Sequence, residues 1–482
     1  MIRMPKSLAS TAAAALAALA IGTAAAAGVG GPVGPSTSTT PYVVPTEPGV
    51  ATKSILTVGD SVNAKPDGTP YRMVGIPDGL GAFDNGNGTF TVLMHHELGS
   101  TAGVVRAHGA VGSFVSKWTI RKRDLTVLHG EDLIQQIATW NSASSSYNAP
   151  AKGIVLNRLC SADLPARSAF YDDGRGYNGR IFMDGEEAGA EGRAFAHLMN
   201  GTSYELPRLG KFSRENSLAN PESGDKTVVV GTDDSNGGQI YIYVGKKTNS
   251  GSPIERAGLT NGTLYGVAVS GFPAEIAASG IPSGSAFTLA SLGNVENTSG
   301  AQLESMSVAA GVTAFQRPED GAWDPKHPND FYFVTTASFT GNSRLWRLRF
   351  ADAEHPERGG TIAMLLDGSE GPKMMDNLTI SERGQIIIQE DPGGNDYLAK
   401  LRRYSIKNDT LAEIAQHDPA RFLPGAPNFL TIDEESSGVI DASDILGEGW
   451  YLFDVQAHYS AGDAELVEGG QLLALHLPPG RQ

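Results

Sequence analysis

A single cysteine, Cys160, excludes any disulfide within the chain. That scarcity is informative beside an N-terminus that reads as an export signal, because a lone thiol outside the cell is open to oxidation and intermolecular pairing. Cys160 is therefore either a small buried hydrophobe or a thiolate that holds a metal. Positive charge is also short. With 37 Lys and Arg against 53 Asp and Glu, the net charge is −16, which argues against sequence-independent binding to nucleic acid. No apolar run suits a membrane span; the N-terminal stretch Ala12–Ile21 is too short and too rich in alanine. Three catalytic motifs are missing as well. His95-His96-Glu97 has no helix-spaced second histidine and is not a zinc-protease motif. There is no Gly-x-Ser-x-Gly elbow in a strand setting, which speaks against a serine hydrolase. No glycine-rich loop ends in Lys-Ser/Thr to cradle a nucleotide phosphate.

Against these absences stands a chain rich in turns and carboxylates. Arg3 and Lys6, the apolar stretch after them and Ala25-Ala26-Ala27 read as a secretory signal over 1–27, without a twin-arginine pair. Its removal takes two positive charges and leaves −18 from −16. The expected location is periplasmic or secreted. Residues 28–50 are rich in Gly, Pro, Ser and Thr and read as a flexible lead-in. The remainder, 51–482, reads as one all-β unit: 59 Gly and 27 Pro punctuate short apolar or alternating runs, with no long amphipathic helix.

A hairpin is expected over Gly81–Met94, where Asn85-Gly86 and Asn87-Gly88 supply the left-handed turn residues. A similar strand recurs at Ser113–Ile120, Gly237–Val244, Asn342–Leu348, Leu398–Tyr404 and Gly469–Leu477. Similar strands at long, uneven intervals point to a β-propeller whose blades carry loop and short-helix insertions, roughly six of them within the usual range of ~4–8. One such helix is expected at Pro273–Ser279, with a first-turn proline and Gly280 as its stop.

The polar clusters lie at the ends of apolar strands: Asp78-Gly79, His95-His96-Glu97, Cys160, Asp184 to Glu187, Ser213 to Asn216, Asp233-Asp234, Arg317 to Asp320, Asp376-Asn377, Glu390-Asp391 and Gln456 to His458. Strand ends from many blades converge at one mouth of a propeller's channel, so distant clusters can form one site. Carboxylates gathered there repel one another and need cations to stay ionised. In Arg317-Pro318-Glu319-Asp320, the proline biases Arg317 towards an extended backbone, and alternation then points Arg317 and Glu319 the same way. Each cluster by itself is compatible with a solvated turn or a surface pair.

Taken in order, these elements resemble the PhoX-type alkaline phosphatase family: Asp78-Gly79, His96-Glu97, Cys160, Gly185-Glu186-Glu187, Leu209 to Glu215, Gly231 to Asp234, Arg317-Pro318-Glu319-Asp320, Asp376-Asn377-Leu378 and Val455 to His458. The sequence is a divergent member: Asp184-Gly185 stands for the family's Thr-Cys step, Ser213-Arg214 for a histidine-containing step, and Ala457 separates Gln456 from His458. The resemblance implies an exported propeller with an iron and calcium cluster that hydrolyses phosphate monoesters. It implies Cys160, Glu215 and Glu319 as iron-side ligands and Glu187, Asp234 and Asp320 as calcium-side or bridging carboxylates, with Glu186 and Asp233 as further metal-ligating acids. Arg317 and Glu319 become the catalytic pair, with Arg317 holding the phosphate of a small phosphorylated substrate. A signal without paired arginines suggests metal loading outside the cell, where calcium is more available than iron. Two other readings of the residues stay open: a calcium-dependent propeller hydrolase of another type (phosphodiesterase, phosphotriesterase, phytase or lactonase), or a non-catalytic binding propeller with structural calcium.

Overall fold

The strands that recur in the sequence occupy one position in the fold. In the computed structural model, which describes residues 31–478, they are Phe114–Arg121, Ile240–Lys246, Arg344–Phe350, Lys400–Ser405 and Glu468–His476, and each is the third strand outward in an antiparallel meander. A third strand is covered on both faces by neighbouring sheets, so its apolar and aromatic residues repeat from unit to unit. Trp118, Ile242, Trp346, Leu401 and Leu473 are all fully buried there.

The meanders are nearly the whole molecule, and the chain is close to all-β. Pro77–Asp84, Thr89–His96, Phe114–Arg121 and Val127–Asp132 form one sheet in sequence order. The expected hairpin sits inside it, with Asp84 opposite Phe90. Ile181–Gly185, Ala194–Leu198 and Thr202–Glu205 form a second sheet, completed in parallel by Gln136–Ala138. Arg214–Ala219, Lys226–Asp233, Ile240–Lys246 and Thr263–Val269 open a nine-stranded sheet. Ser285–Gly293 joins that half to Gly360–Leu366, from which Arg344–Phe350, Asp330–Thr335 and Pro318–Trp323 run inward. Met375–Ile380 starts the next sheet and Glu434–Asp441 the last. Neighbouring sheets pack face to face over separate apolar layers, for example Ile55, Phe90, Trp118, Leu452 and Leu472 between two of them. This is a propeller-like arrangement, with the first strand of each meander on the inside.

Two sequence expectations change here, and a third is not reached. Met1–Ala27 lies outside the described residues, as do 28–30. The rest of the lead-in is packed. Val43–Pro45 extends the sheet of Met375–Ile380 by pairing with Thr410–His417, Val43 opposite His417. Ala51–Thr57 pairs with the C-terminal Glu468–His476 and so closes the last sheet with an N-terminal strand. Tyr42 anchors the strap: its amide donates to Gln471 Oε1 (2.7 Å) and its ring meets Phe422 edge-on at 5.7 Å. The composition describes the turns of this segment, while Tyr42 and Val43, both buried, decide its place.

Pro273–Ser279 is not a helix. Ala274 bridges Ala314, Ile276 bridges Gly280, and the Glu275 carboxylate between them pairs with buried Arg344 and accepts from the Gln316 amide (2.9 Å). A helix there would withdraw the carboxylate that Arg344 needs. The longest helix among the described residues is Gly300–Ala309, opened by a capping box between Ser299 and Gln302.

A protein beginning at Ala51 would leave Thr410–His417 as an open sheet edge. Edges of that kind recruit other chains. The expected outcome is a lower melting temperature together with concentration-dependent association, read by thermal melting and light scattering.

Candidate metal and phosphate site

The inner strands share a construction that alternation alone would not produce. The ladder slips between Pro77 and Leu80, Arg214 and Ser217, Pro318 and Gly321, and Met375 and Leu378. Each slip is a β-bulge that sets two residues against one. The residues within the slips are Asp78-Gly79, Glu215-Asn216, Glu319-Asp320 and Asp376-Asn377. The first of each pair carries a carboxylate into a common cluster, and the second lies a layer below it. Gly79 has no side chain because the Ser161–Ala162 backbone passes there; a Cβ would come within 2.5 Å of the Ala162 nitrogen.

A second regularity precedes the ligands. Ile76, Arg158, Arg317 and Met374 all have left-handed backbones (φ 49°, 49°, 59° and 47°). They stand two residues ahead of Asp78, Cys160, Glu319 and Asp376. Non-glycine residues there carry strain of order 1 kcal/mol, and for β-branched Ile76 the conformation is a true outlier. Arg317 is therefore not extended, as its proline neighbour suggested. Its conformation is held by a bidentate pair with Asp234 (Nε–Oδ1 and Nη2–Oδ2, both 2.8 Å) and a bond to Glu319 Oε1 (3.1 Å). The expected side, facing Glu319, is kept.

Three sets of donors result, each with its ligand atoms within 4.8 Å of one another: Asp78, Glu97 and Cys160; Glu215, Glu319 and Asp376; and Asp376, Asp391 and Glu435, the last two sharing Asp376. Burial first, then neighbouring acids, push the carboxyls of Asp78, Glu215, Glu319, Asp376 and Glu435 well above the usual carboxylate range. The Cys160 thiol is pushed up for the same reasons, burial and then Asp78, whose Oδ2 lies 3.5 Å from Sγ. Groups so placed cannot all ionise unless cations stand among them.

The frame around the cysteine is built from the core outwards. Residues 159–163 run beside Ile181–Gly185 through the bridges Leu159–Glu186 and Asp163–Met183. His95 donates from Nδ1 to the Cys160 carbonyl (2.5 Å), and its Nε2 is 2.8 Å from Asp184 Oδ2. The same oxygen takes His197 Nε2 at 2.5 Å. Burial works against the Asp184 charge, but His197 and His95 outweigh it and hold the carboxyl at about 2. Gln456 Nε2 donates to Asp78 Oδ2 (2.8 Å) and Glu97 Oε2 (3.2 Å).

The lower layer is a ring of hydrogen bonds. Asn216 donates to Asp320 Oδ1 (2.7 Å) and the Leu378 amide to Asp320 Oδ2 (3.3 Å). Asn377 donates to Ser161 Oγ (2.5 Å), which donates to Glu215 Oε1 (2.5 Å). The ring ties down one Glu215 oxygen, Oε1, through Ser161.

Of the residues singled out from sequence, the structure brings together Cys160, Glu215 and Glu319 in the donor sets, with Asp234, Arg317 and Glu187 at their edge. Glu186 does not join them: Arg193 grips both its oxygens (2.6 and 2.7 Å) and the Asn157 amide takes Oε1 (3.0 Å). Asp320 belongs to the ring beneath, and burial lifts its carboxyl to about 6. Asp233 accepts from Ser235 Oγ (2.8 Å) and stands outside all three sets. Asp78, Glu97, Asp376 and Asp391 were visible as strand-end acids but not assigned as ligands. Glu435 and Arg158 were missed, although Asp433-Glu434-Glu435 ahead of an apolar strand is the same signal. His96 and His458 serve elsewhere, on Ser116 (2.9 Å) and Glu468 (2.6 Å). Arg214, at the family's histidine step, is buried over the Phe212 ring and donates to the Leu209 and Gly210 carbonyls.

Comparison with known proteins agrees with this geometry. The sequence profile of the family described as Alkaline phosphatase PhoX matches residues 196–370, the stretch that holds Glu215, Asp234, Arg317 and Glu319. In fold, the chain is similar to Pseudomonas fluorescens PhoX, solved in complex with vanadate, a transition state analogue. The TM-score is 0.66 at 12% identity, over 92% of this chain and 97% of that one. Trypanosoma rangeli sialidase in complex with the inhibitor DANA gives a TM-score of 0.38 at 8% identity, over 90% of this chain and 60% of that one, and no argument rests on it. A sequence comparison with curated proteins finds no match. The chain is thus PhoX-like in sequence over that central stretch and in fold over most of its length.

Proposed function

We infer that this PhoX-like chain is a phosphoric ester hydrolase, a metal-dependent phosphatase acting on phosphate monoesters at the inner mouth of a propeller of roughly six blades, within the ~4–8 usual for the fold. The observation that carries the inference is the convergence of three donor sets beside Arg317. The donors fit cations. Asp376, Asp391 and Glu435 are an all-oxygen set that suits a hard ion such as calcium, whereas Asp78, Glu97 and Cys160 include a thiolate that suits a softer ion such as iron. Cations held there would neutralise phosphoryl oxygens and activate an oxygen nucleophile.

The chain's own part is positioning. Asp234 and Glu319 fix the plane of the Arg317 guanidinium, which can then meet the charge that spreads over a transferring phosphoryl group. Glu215 is fixed by Ser161 and Cys160 by His95, so neither must reorganise during reaction. The P. fluorescens structure with vanadate supports a small phosphorylated substrate here. The N-terminal signal supports export to the periplasm or medium. No helix among the described residues is long and apolar enough to cross a membrane.

The test is metal analysis of the purified protein combined with turnover of a chromogenic phosphomonoester, with and without added calcium and iron. Turnover that depends on bound metal is expected. Absence of turnover under every condition overturns the reading, and a calcium-dependent rise in melting temperature without hydrolysis would point to a binding propeller instead.

A further inference from the structure

Arg158 stands to the thiol-bearing donor set as Arg317 stands to the carboxylate set. Each is a left-handed arginine two residues ahead of a donor, Arg158 at φ 49° before Cys160 and Arg317 at φ 59° before Glu319. Each reaches two acids. Arg317 holds Asp234 and Glu319; Arg158 holds Glu97 Oε1 at 2.6 Å and pairs with Glu187, whose carbonyl its Nε also meets at 3.1 Å. The acids are mostly covered, but the guanidiniums are not: the Arg158 and Arg317 side chains are 47% and 32% exposed. The two arms adjoin through the backbone: the Glu187 amide donates to the Arg158 carbonyl (2.8 Å), the Arg214 amide to the Glu186 carbonyl (3.1 Å) and the Asp234 amide to the Ser213 carbonyl (2.9 Å).

Ile76 and Met374 share the left-handed backbone, so the conformation belongs to the turn that sets each donor; what distinguishes the two arginines is a partly exposed fork that this turn and two acids hold beside the cluster.

We propose that Arg158 is a second phosphate-binding guanidinium, which grips the substrate phosphoryl group from the Cys160 side while Arg317 grips it from the Glu319 side. The proposal rests on the phosphatase reading and deepens it. Two forked donors together with cations offer more positive charge than the two terminal oxygens of a diester can use. They match the three terminal oxygens of a monoester dianion. Arg158 thereby favours monoesters over diesters.

The test compares wild type, Arg158→Ala and Arg158→Lys as metal-loaded full-length proteins. For Arg158→Ala, KM for p-nitrophenyl phosphate and the inhibition constant of inorganic phosphate are expected to rise together by about tenfold or more. The KM for bis(p-nitrophenyl) phosphate should move less, and metal content by mass spectrometry should match wild type. Arg158→Lys, a point charge without the fork, should recover only part of the loss. An unchanged phosphate inhibition constant, or a loss of metal that accounts for the whole effect, overturns the proposal and makes Arg158 a structural counter-ion. Calorimetric titration of inorganic phosphate separates this from the underlying reading. Phosphate binding weakened in Arg158→Ala, in a wild type that hydrolyses nothing, would sustain Arg158 and refute the hydrolase. Equal binding in an active enzyme would refute Arg158 alone, and no binding by wild type refutes both.

Discussion

Glu319→Gln is expected to lower kcat/KM for a phosphomonoester by about three orders of magnitude or more, the scale seen when one preorganised electrostatic group is lost from an active site. The substitution keeps shape and removes charge. Glu319 is 3% exposed and shares its set with Glu215 and Asp376, so the lost charge is a lost cation ligand. Its Oε1 also accepts from Arg317, and an amide placed there can turn an N–H towards the guanidinium and release it. Two functions fail together, ligation and aiming. Stability should move the other way in chelator: burial, Asp234 and Asp376 already penalise the Glu319 charge, so the variant should melt no lower than wild type near pH 8. Kinetics within tenfold of wild type would refute the assignment of Glu319, and collapse in chelator would show that it serves folding instead.

Removal of metal should reverse the pH dependence of stability. In the metal-free protein, burial lifts Asp320 to about 6 and Asp233 to about 7, while burial and Glu97 lift Glu187 to about 7. Unfolded carboxyls titrate near ~4. The folded chain therefore binds more protons between these values. Its stability is full below the unfolded pKa and is lost as pH rises through about 6 to 7. Each such group costs on the order of a few kcal/mol once ionised, and burial raises Asp78, Glu215, Glu319, Asp376 and Glu435 in the same direction. In excess chelator the melting temperature should fall from pH 5.5 to 8.5. With saturating calcium and iron the cluster carboxylates are held ionised, so the gap between loaded and chelated protein should widen over the same range. Melting curves at four pH values decide it, and a gap that narrows with rising pH would show that the acids do not bind the cations.

The recurring third strands, the hairpin at Asp84 to Phe90 and the acids at strand ends were legible because they rest on composition and period. Trp118 and Trp346 are both fully buried on third strands, and a sequence keeps such buried positions apolar wherever they fall. Arg317-Pro318-Glu319-Asp320 was legible as a site because a cation and two acids beside a buried strand make a poor core.

The division of labour within that segment was not legible. Glu319 and Asp320 are neighbours of the same chemistry, yet one joins a donor set and the other the ring beneath. Glu186 was indistinguishable from a ligand until Arg193, just ahead of the next strand, closed on it.

Sequence by itself determined the β class, the acidic character, the lone thiol and the family resemblance, all of which depend on residue type and order. Tertiary structure alone decided which acids come together in one donor set. It also decided that Asp78, Glu97, Asp391 and Glu435 complete the donor sets, and that Arg158 mirrors Arg317. The physical reason is the bulge. A regular strand fixes each side chain's face by counting in twos, whereas one extra residue in an inner strand resets the count, and the ladder that reveals it exists only once the neighbouring strand is in place.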